Sequence, residues 1–326
     1  MSDQLLDHFP VNLSYDDFVR ETYASALSDG FPFAVPEPAL AEAALAGLAV
    51  EGAEVLGNGT RTVTVADAVT ATIAAGGRPE YAATVVAAAT AIFETAKERN
   101  LERGGFADTA QCVIVSGPER ERLGVHAGIG AFGPGWRANA SIGRAVRLLI
   151  NWAFEPSLGA FGDPTQYSFC FGEDSGESPW PSLRVEHGIP EGESAVAVHS
   201  ISKATKNFDR NNIDIRHHLR DLALFLRDRA GATDWFPDQR TPIVLVVGEE
   251  WHRQYVTAGW SKDAIRRDLY PLLVAEADPS GSPVHLSGPE DLTVVRAGGP
   301  AEAAEWCLIG TGARPAIRNV DLFKKG

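Results

Sequence analysis

Two rhythms of apolar and polar positions run along this chain, one helical and one extended. Near the start, Ser14 stands as an N-cap with Asp17 three residues on. Phe18, Tyr23 and Leu27 then space out one apolar face. This predicts a helix ended by Asp29-Gly30. Phe31-Pro32-Phe33-Ala34-Val35-Pro36-Glu37-Pro38 cannot be helix interior, because proline lacks the amide and clashes with the turn before it. An Ala-rich helix follows from about Ala39 to Leu48. Asn58-Gly59 marks a turn, and Thr62 or Thr64 caps a helix running to about Ala75. Gly76-Gly77 breaks it, and Pro79 starts another that reaches about Lys97. Both are rich in Ala and Val, which predicts burial.

The rhythm then changes. Cys112 to Val115 is a short apolar strand, turned by Ser116-Gly117-Pro118 into a helix that ends near Gly124. A Gly-rich loop runs from Gly128 to Gly135, before a helix from Ala140 to Asn151. Ile243 to Val247 is again an apolar strand; Gly248 opens a helix ending near Gly259, and Ser261 caps another to about Val274. The two stretches share their order, which predicts a degenerate internal duplication. Tyr167 to Phe171 and Ser194 to Ile201 alternate as half-buried strands, and a long helix spans Ile213 to Arg229. Leu292 to Val295 reads as a last strand, running through Gly298-Gly299-Pro300 into a helix that reaches about Cys307. Short apolar strands followed by helices predict an α/β fold, with a largely parallel sheet flanked by helices. The expected organisation is an N-terminal helical extension over 1–28 and one α/β domain over 29–326, in two pseudo-repeated lobes of about 29–160 and 161–326.

Composition narrows the function. The 326 residues carry 29 Lys+Arg against 43 Asp+Glu, a formal charge of −14, which argues against nucleic acid or an anionic membrane as partner. No run approaches ~18 uninterrupted apolar residues, so no membrane span is expected. Met1 to Pro10 shows no basic-then-apolar pattern, so no signal peptide is expected. Three isolated cysteines with no CxxC spacing read as free thiols of a reducing, cytoplasmic compartment. Scarce Met beside abundant Ala, Gly and Pro is usage associated with high-GC bacterial genomes.

Candidate chemistry concentrates in two segments. The first is Cys170-Phe171-Gly172-Glu173-Asp174-Ser175-Gly176-Glu177-Ser178-Pro179-Trp180, where a strand delivers a thiol, three carboxylates and an indole. A carboxylate beside apolar rings can be pushed up in pKa and serve as acid or base. The expected catalytic groups are therefore Glu173, Glu177, Asp174, Cys170 and, on the way to the Gly loop, His126. Acidic neighbours raise a thiol's pKa, so Cys170 is expected to matter less than the carboxylates. Glu173, Glu177, Glu186 and His187 form an alternative divalent-metal set, although their spacing matches no specific motif. Glu249-Glu250-Trp251-His252 reads as an ordinary surface-helix run, and His217-His218 as a solvated helix face.

The second segment, Gly133-Pro134-Gly135-Trp136-Arg137-Ala138-Asn139-Ala140-Ser141-Ile142-Gly143-Arg144, leads a flexible backbone into a helix start. Such a start favours an anion, and Arg forks suit carboxylate or phosphate. The expected substrate-binding residues are Arg137, Asn139, Ser141, Arg144, Arg78, Tyr81 and Trp180. Both segments and Arg78 are expected to converge on one pocket, with Arg137 or Arg144 within about 10 Å of Glu173 or Glu177. No GxGxxG follows a strand and no Walker motif occurs, so no nucleotide cofactor is expected.

Five blocks taken in order resemble a family of bacterial proteins associated with the UGSC thiol/selenocysteine domain. They are Asp29-Gly30-Phe31-Pro32, Arg78-Pro79-Glu80-Tyr81, Gly133 to Ala145, Cys170-Phe171 to Ser178-Pro179-Trp180, and Ala258-Gly259-Trp260-Ser261-Lys262. That family has a cysteine where this chain has Gly77, and a more acidic, Asn-containing stretch after Cys-Phe. The resemblance implies a cytoplasmic bacterial enzyme of small-molecule metabolism and implies no reaction. From the residues themselves, the expectation is an enzyme acting on a small anionic organic molecule by lyase or hydrolase chemistry. A metal-dependent enzyme and a non-catalytic partner subunit of a thiol-redox system are the alternatives, with a homo-oligomer left open.

Overall fold

The computed structural model describes Phe9 and residues 12–24, 27–99, 109–154, 169–208, 214–230, 240–276, 282–300 and 302–326. The leader positions other than Phe9, together with Tyr167, Ser168 and Ile213, lie outside these residues. Local signals place most element ends. The Ser14 hydroxyl accepts the Asp17 amide (3.3 Å) at the head of α1, Tyr15–Ala24. Pro38 opens α2, Pro38–Ala46. Thr64 and Asp67 form a reciprocal capping box on α3, Val65–Ala74. A 3-10 turn at Pro79–Tyr81 leads into α4, Ala82–Glu94. A small hairpin of β1, Val55–Asn58, and β2, Thr62–Thr64, precedes α3.

The main sheet opens with β3, Ala110–Ser116, then α5, Pro118–Leu123, and α6, Arg137–Phe154. It continues with β4, Phe169–Gly172, the short α7, Leu183–Glu186, and the long β5, Ala195–Asn207. After α8, Ile215–Ala230, come β6, Ile243–Val247, α9, Glu249–Thr257, and α10, Lys262–Val274. The chain ends with β7, Leu292–Arg296, β8, Glu305–Gly310, and β9, Ala316–Asn319.

Among the described residues the sheet is mixed, which corrects the expectation of a largely parallel one. Its path is β4-β3-β5-β8-β6-β7, with β9 beside β5. β3–β4 and β6–β7 are parallel, while β3–β5, β5–β8, β5–β9 and β6–β8 are antiparallel. The helix expected to reach Cys307 is instead β8, because Cys307, Leu308 and Ile309 alternate faces in a ladder between β5 and β6. The units β3-α5-α6-β4-β5 and β6-α9-α10-β7-β8 run in the same order.

Helices cover one face. Val113, Val115, Val196 and Val198 point into a core shared with α3, α4 and α6. Ile243, Leu245, Val247 and Val294 point into one shared with α8, α9 and α10. The alternate residues, including Ile114, Phe171, Val246 and Leu308, meet on the opposite face. β4 and β7 end the six-strand path, yet the Asp174 amide donates to the Arg296 carbonyl at 2.8 Å, so the sheet coils enough to bring its ends together. The ends of β4, β6 and β7 are thereby gathered together, where loops leave the strands.

Candidate functional site

The loop after β4 is built in two halves. The first half is a buried charge network. Glu173 accepts the Ser116 hydroxyl (2.6 Å), the Leu183 amide (2.9 Å) and the Lys262 ammonium (3.3 Å). Lys262 also reaches Glu186 at 2.9 Å, and Arg266 pairs with the other Glu186 oxygen at 2.7 Å. Arg184 donates to Ser116. Glu173 and Lys262 are 2% and 3% exposed, so solvent cannot replace these partners. Glu173 is an anchor whose lone pairs are spent on the fold. The metal expectation is corrected here: the cation bridging Glu173 and Glu186 is the chain's own ammonium. Glu177 is exposed, and among the described residues no three His, Cys, Asp or Glu side chains gather as a metal-ligand group.

The second half holds a different arrangement. Asp174 accepts the Gly176 amide (3.3 Å), and Arg296 donates to the Gly176 carbonyl (2.6 Å). The Arg296 fork also grips Glu249 at 2.6 Å and Asp174 at 3.3 Å. The turn is tight enough to hold Glu177 at φ 43°, a left-handed conformation that costs a side chain on the order of 1 kcal/mol. Ser178 comes next. Its Oγ lies 2.8 Å from His252 Nε2, and it accepts the Trp180 amide at 3.1 Å. With Nε2 unprotonated, the Ser178 hydroxyl is the donor of this contact.

His252 sits in the first turn of α9, 4% exposed, with its ring edge-on to Trp180 at 4.8 Å. Burial, and then Arg296, pushes its pKa below the ordinary 6.5, so the ring is neutral at pH 7. Glu249 Oε2 lies 3.9 Å from Nδ1, an electrostatic neighbour rather than a hydrogen-bond partner. That carboxylate favours the Nδ1–H tautomer, in which Nε2 is the acceptor. A half-buried hydroxyl therefore meets a neutral, oriented imidazole, the pairing needed for an activated nucleophile.

The other expected residues disperse. Arg144 pairs with Asp29 through two nitrogens at 2.8 Å and donates to the Phe31 and Pro32 carbonyls. Arg137 donates to the Gly76 carbonyl at 2.8 Å, which does bring the α6 start to the Gly76-Gly77-Arg78 turn, where Arg78 is exposed. Arg137 and Arg144 are each engaged with other groups, and no hydrogen bond or ion pair joins either to Glu173 or Glu177. Asn139 spends its amide on His126 and the Ala131 carbonyl, pinning the Gly loop. His126 stacks on Trp136 at 3.5 Å and meets the Ile129 carbonyl. Ser141 and Tyr81 are buried. Trp180 is buried too, its indole donating to the Trp260 carbonyl at 2.8 Å. Cys112, Cys170 and Cys307 are buried, and burial raises each thiol's pKa. Cys170 is thus a poor nucleophile, chiefly through desolvation rather than the acidic neighbours expected. His218, expected in solvent, is buried against Glu305 at 2.7 Å.

Two cavities bear on the site, the first bordering the loop at Pro181 and the second lined by Ala297 and Gly298, which follow Arg296. One of about 670 Å³ is lined by α7, α10 and the start of β7, with His187 and Arg266 at its wall. Its charges are mutually spent: Glu186 on Lys262 and Arg266, Asp263 on Arg266, Glu290 on Arg314, and Arg267 on Asp268. The other, of about 260 Å³, lies under the Gly loop between Phe132, Lys206, Glu302 and Trp306. Comparison of the chain with protein-family models and with curated proteins finds no match.

Proposed function

We propose that this chain is a hydrolase of small-molecule metabolism, with Ser178 as nucleophile and His252 as its base. The observation that carries this reading is the 2.8 Å contact between Ser178 Oγ and a neutral His252 Nε2. In the step proposed, the Ser178 hydroxyl gives its proton to Nε2 as Oγ bonds to the substrate's acyl carbon. The leaving alcohol takes that proton from Nε2 as its bond to carbon breaks. Water repeats the sequence and regenerates the serine. Arg296 and Glu249 position the pair without touching substrate. The hydrolase branch of the sequence reading is favoured over the lyase branch because the site offers a nucleophile–base pair. The carboxylates after Cys170 act in it as scaffold rather than as acid and base.

The two strand-helix-helix-strand-strand units are read as pseudo-repeated lobes, with the site at the ends of β4, β6 and β7. A thiol-redox role gains no support from three buried thiols, and the UGSC-associated resemblance adds no reaction. The test is hydrolysis of 4-nitrophenyl acetate and butyrate. Ser178→Ala and His252→Gln should each lose roughly a hundredfold or more in kcat, the scale of losing a nucleophile or its base. Parent-level turnover by folded Ser178→Ala would refute the assignment.

A further inference from the structure

The smaller cavity has a chemistry of its own. Phe132 and Trp306 form its apolar side, with ring centroids 5.4 Å apart at 60°. Gly130, Gly133 and Gly298 line it with bare backbone. Gly298 cannot be replaced there: its φ is 116°, and a Cβ would stand 2.8 Å from Glu302 Cγ. One ammonium serves this pocket. Lys206 Nζ lies over the Trp306 ring at 5.9 Å and the Phe208 ring at 5.7 Å. Its acidic neighbour Glu302 is 3.4 Å away, with both side chains partly exposed at 40% and 25%. The cation seat above these rings is therefore already filled by the chain.

Glu302 is held independently, because the Ala304 amide donates to the same oxygen at 3.1 Å. Lys206 can turn toward a ligand while Glu302 keeps a partner. What suits the remaining space is a flat apolar body against Phe132 and Trp306, with an anion presented to Lys206. Ile129, beside the lining residue Gly130, is 64% exposed, so the apolar surface continues outward.

We infer that this pocket binds a planar ring bearing a carboxylate, with Lys206 as its counter-ion. The pocket is tied to the proposed catalytic pair: Ala297 and Gly298 follow Arg296, and the Glu302 carbonyl accepts the Glu250 amide (3.1 Å) in the first turn of α9. Its role as the acid-bearing half of a substrate rests on the hydrolytic reading, whereas binding itself does not.

Calorimetric titration with benzoate tests it, beside benzyl alcohol as a neutral ring. Saturable benzoate binding in the millimolar range or tighter is expected, with benzyl alcohol at least about tenfold weaker, since a hydrogen bond to a charged group is lost. Lys206→Met should weaken benzoate by about tenfold or more, Lys206→Arg should restore most of it, and Ser178→Ala should bind as the parent does. Circular dichroism confirms that each variant is folded. Equal benzoate affinity in folded Lys206→Met, or only non-saturable heat with the parent, overturns the pocket. Saturable, Lys206-dependent binding by a protein inert toward esters upholds the pocket and rejects the hydrolase instead.

Discussion

Several residues that carry suggestive chemistry in the sequence are spent on the fold. Arg144 is the plainest case, since its fork meets Asp29 and two carbonyls while lying 5.3 Å from the Phe33 ring. Arg144→Lys should cost about 1–2 kcal/mol of stability, because an ammonium cannot copy the fork, and should leave ligand affinity unchanged. A melting curve and a benzoate titration on the same variant check this. Glu173→Gln should likewise lower the melting temperature, at a cost of about 2 kcal/mol for its charged hydrogen bonds, with ester turnover kept within several-fold. Cys170→Ser should retain turnover and lose stability by about 1–2 kcal/mol through a buried hydroxyl. His199 offers a pH test: burial first, then Arg99, pushes its pKa down to about 3, against 6.5 in an unfolded chain. Between those values the unfolded state binds the extra proton, so acid destabilises the fold. His199 should contribute a loss of up to about 1.4 kcal/mol per pH unit as pH falls from 6.5 toward 3, largely absent in His199→Leu. Urea titrations across that range decide it. The Ser178–His252 contact is not legible in the sequence, because its two residues stand 74 positions apart and no local spacing marks the pair.

Elements were easier to read than their partners. Capping and proline signals act within a few residues, so the Thr64 box, the Pro118 start of α5 and the Ser261 cap of α10 agree with the sequence. Thr64→Ala should cost about 1 kcal/mol, measured by chemical denaturation. Strand direction is a different matter. The apolar runs of β3 and β6 fit a strand buried on both faces, and nothing in them distinguishes parallel neighbours from antiparallel ones. β8 differs from its sequence expectation because Gly298-Gly299-Pro300 punctuates the chain as a helix start would, while the ladder that fixes Glu305–Gly310 comes from β5 and β6. The β1–β2 hairpin escaped notice because its strands span only four and three residues.

At the scale of the whole molecule, the sheet brings the ends of β4 and β7 together beside the proposed catalytic pair. β4 and β7 are edges, and only their approach through Asp174 and Arg296 sets Ser178 on α9. Arg296→Ala should therefore loosen the loop and reduce ester turnover roughly tenfold or more, as small misplacements do. It should also raise the pH at which turnover reaches half its maximum, because the cation that lowers the His252 pKa is gone. In the parent that half-point should lie below 6.5, with turnover rising as pH increases and Nε2 loses its proton. Arg137, Arg144 and Glu173 take their partners from segments far away in sequence, which one-dimensional spacing does not encode. Activation of Ser178 by His252 is tested most directly by covalent labelling with a fluorophosphonate followed by peptide mass mapping. One adduct on the peptide carrying Ser178, lost in folded His252→Gln, is the predicted result. An unlabelled Ser178 in the folded parent, or labelling equally fast without the imidazole, would contradict it.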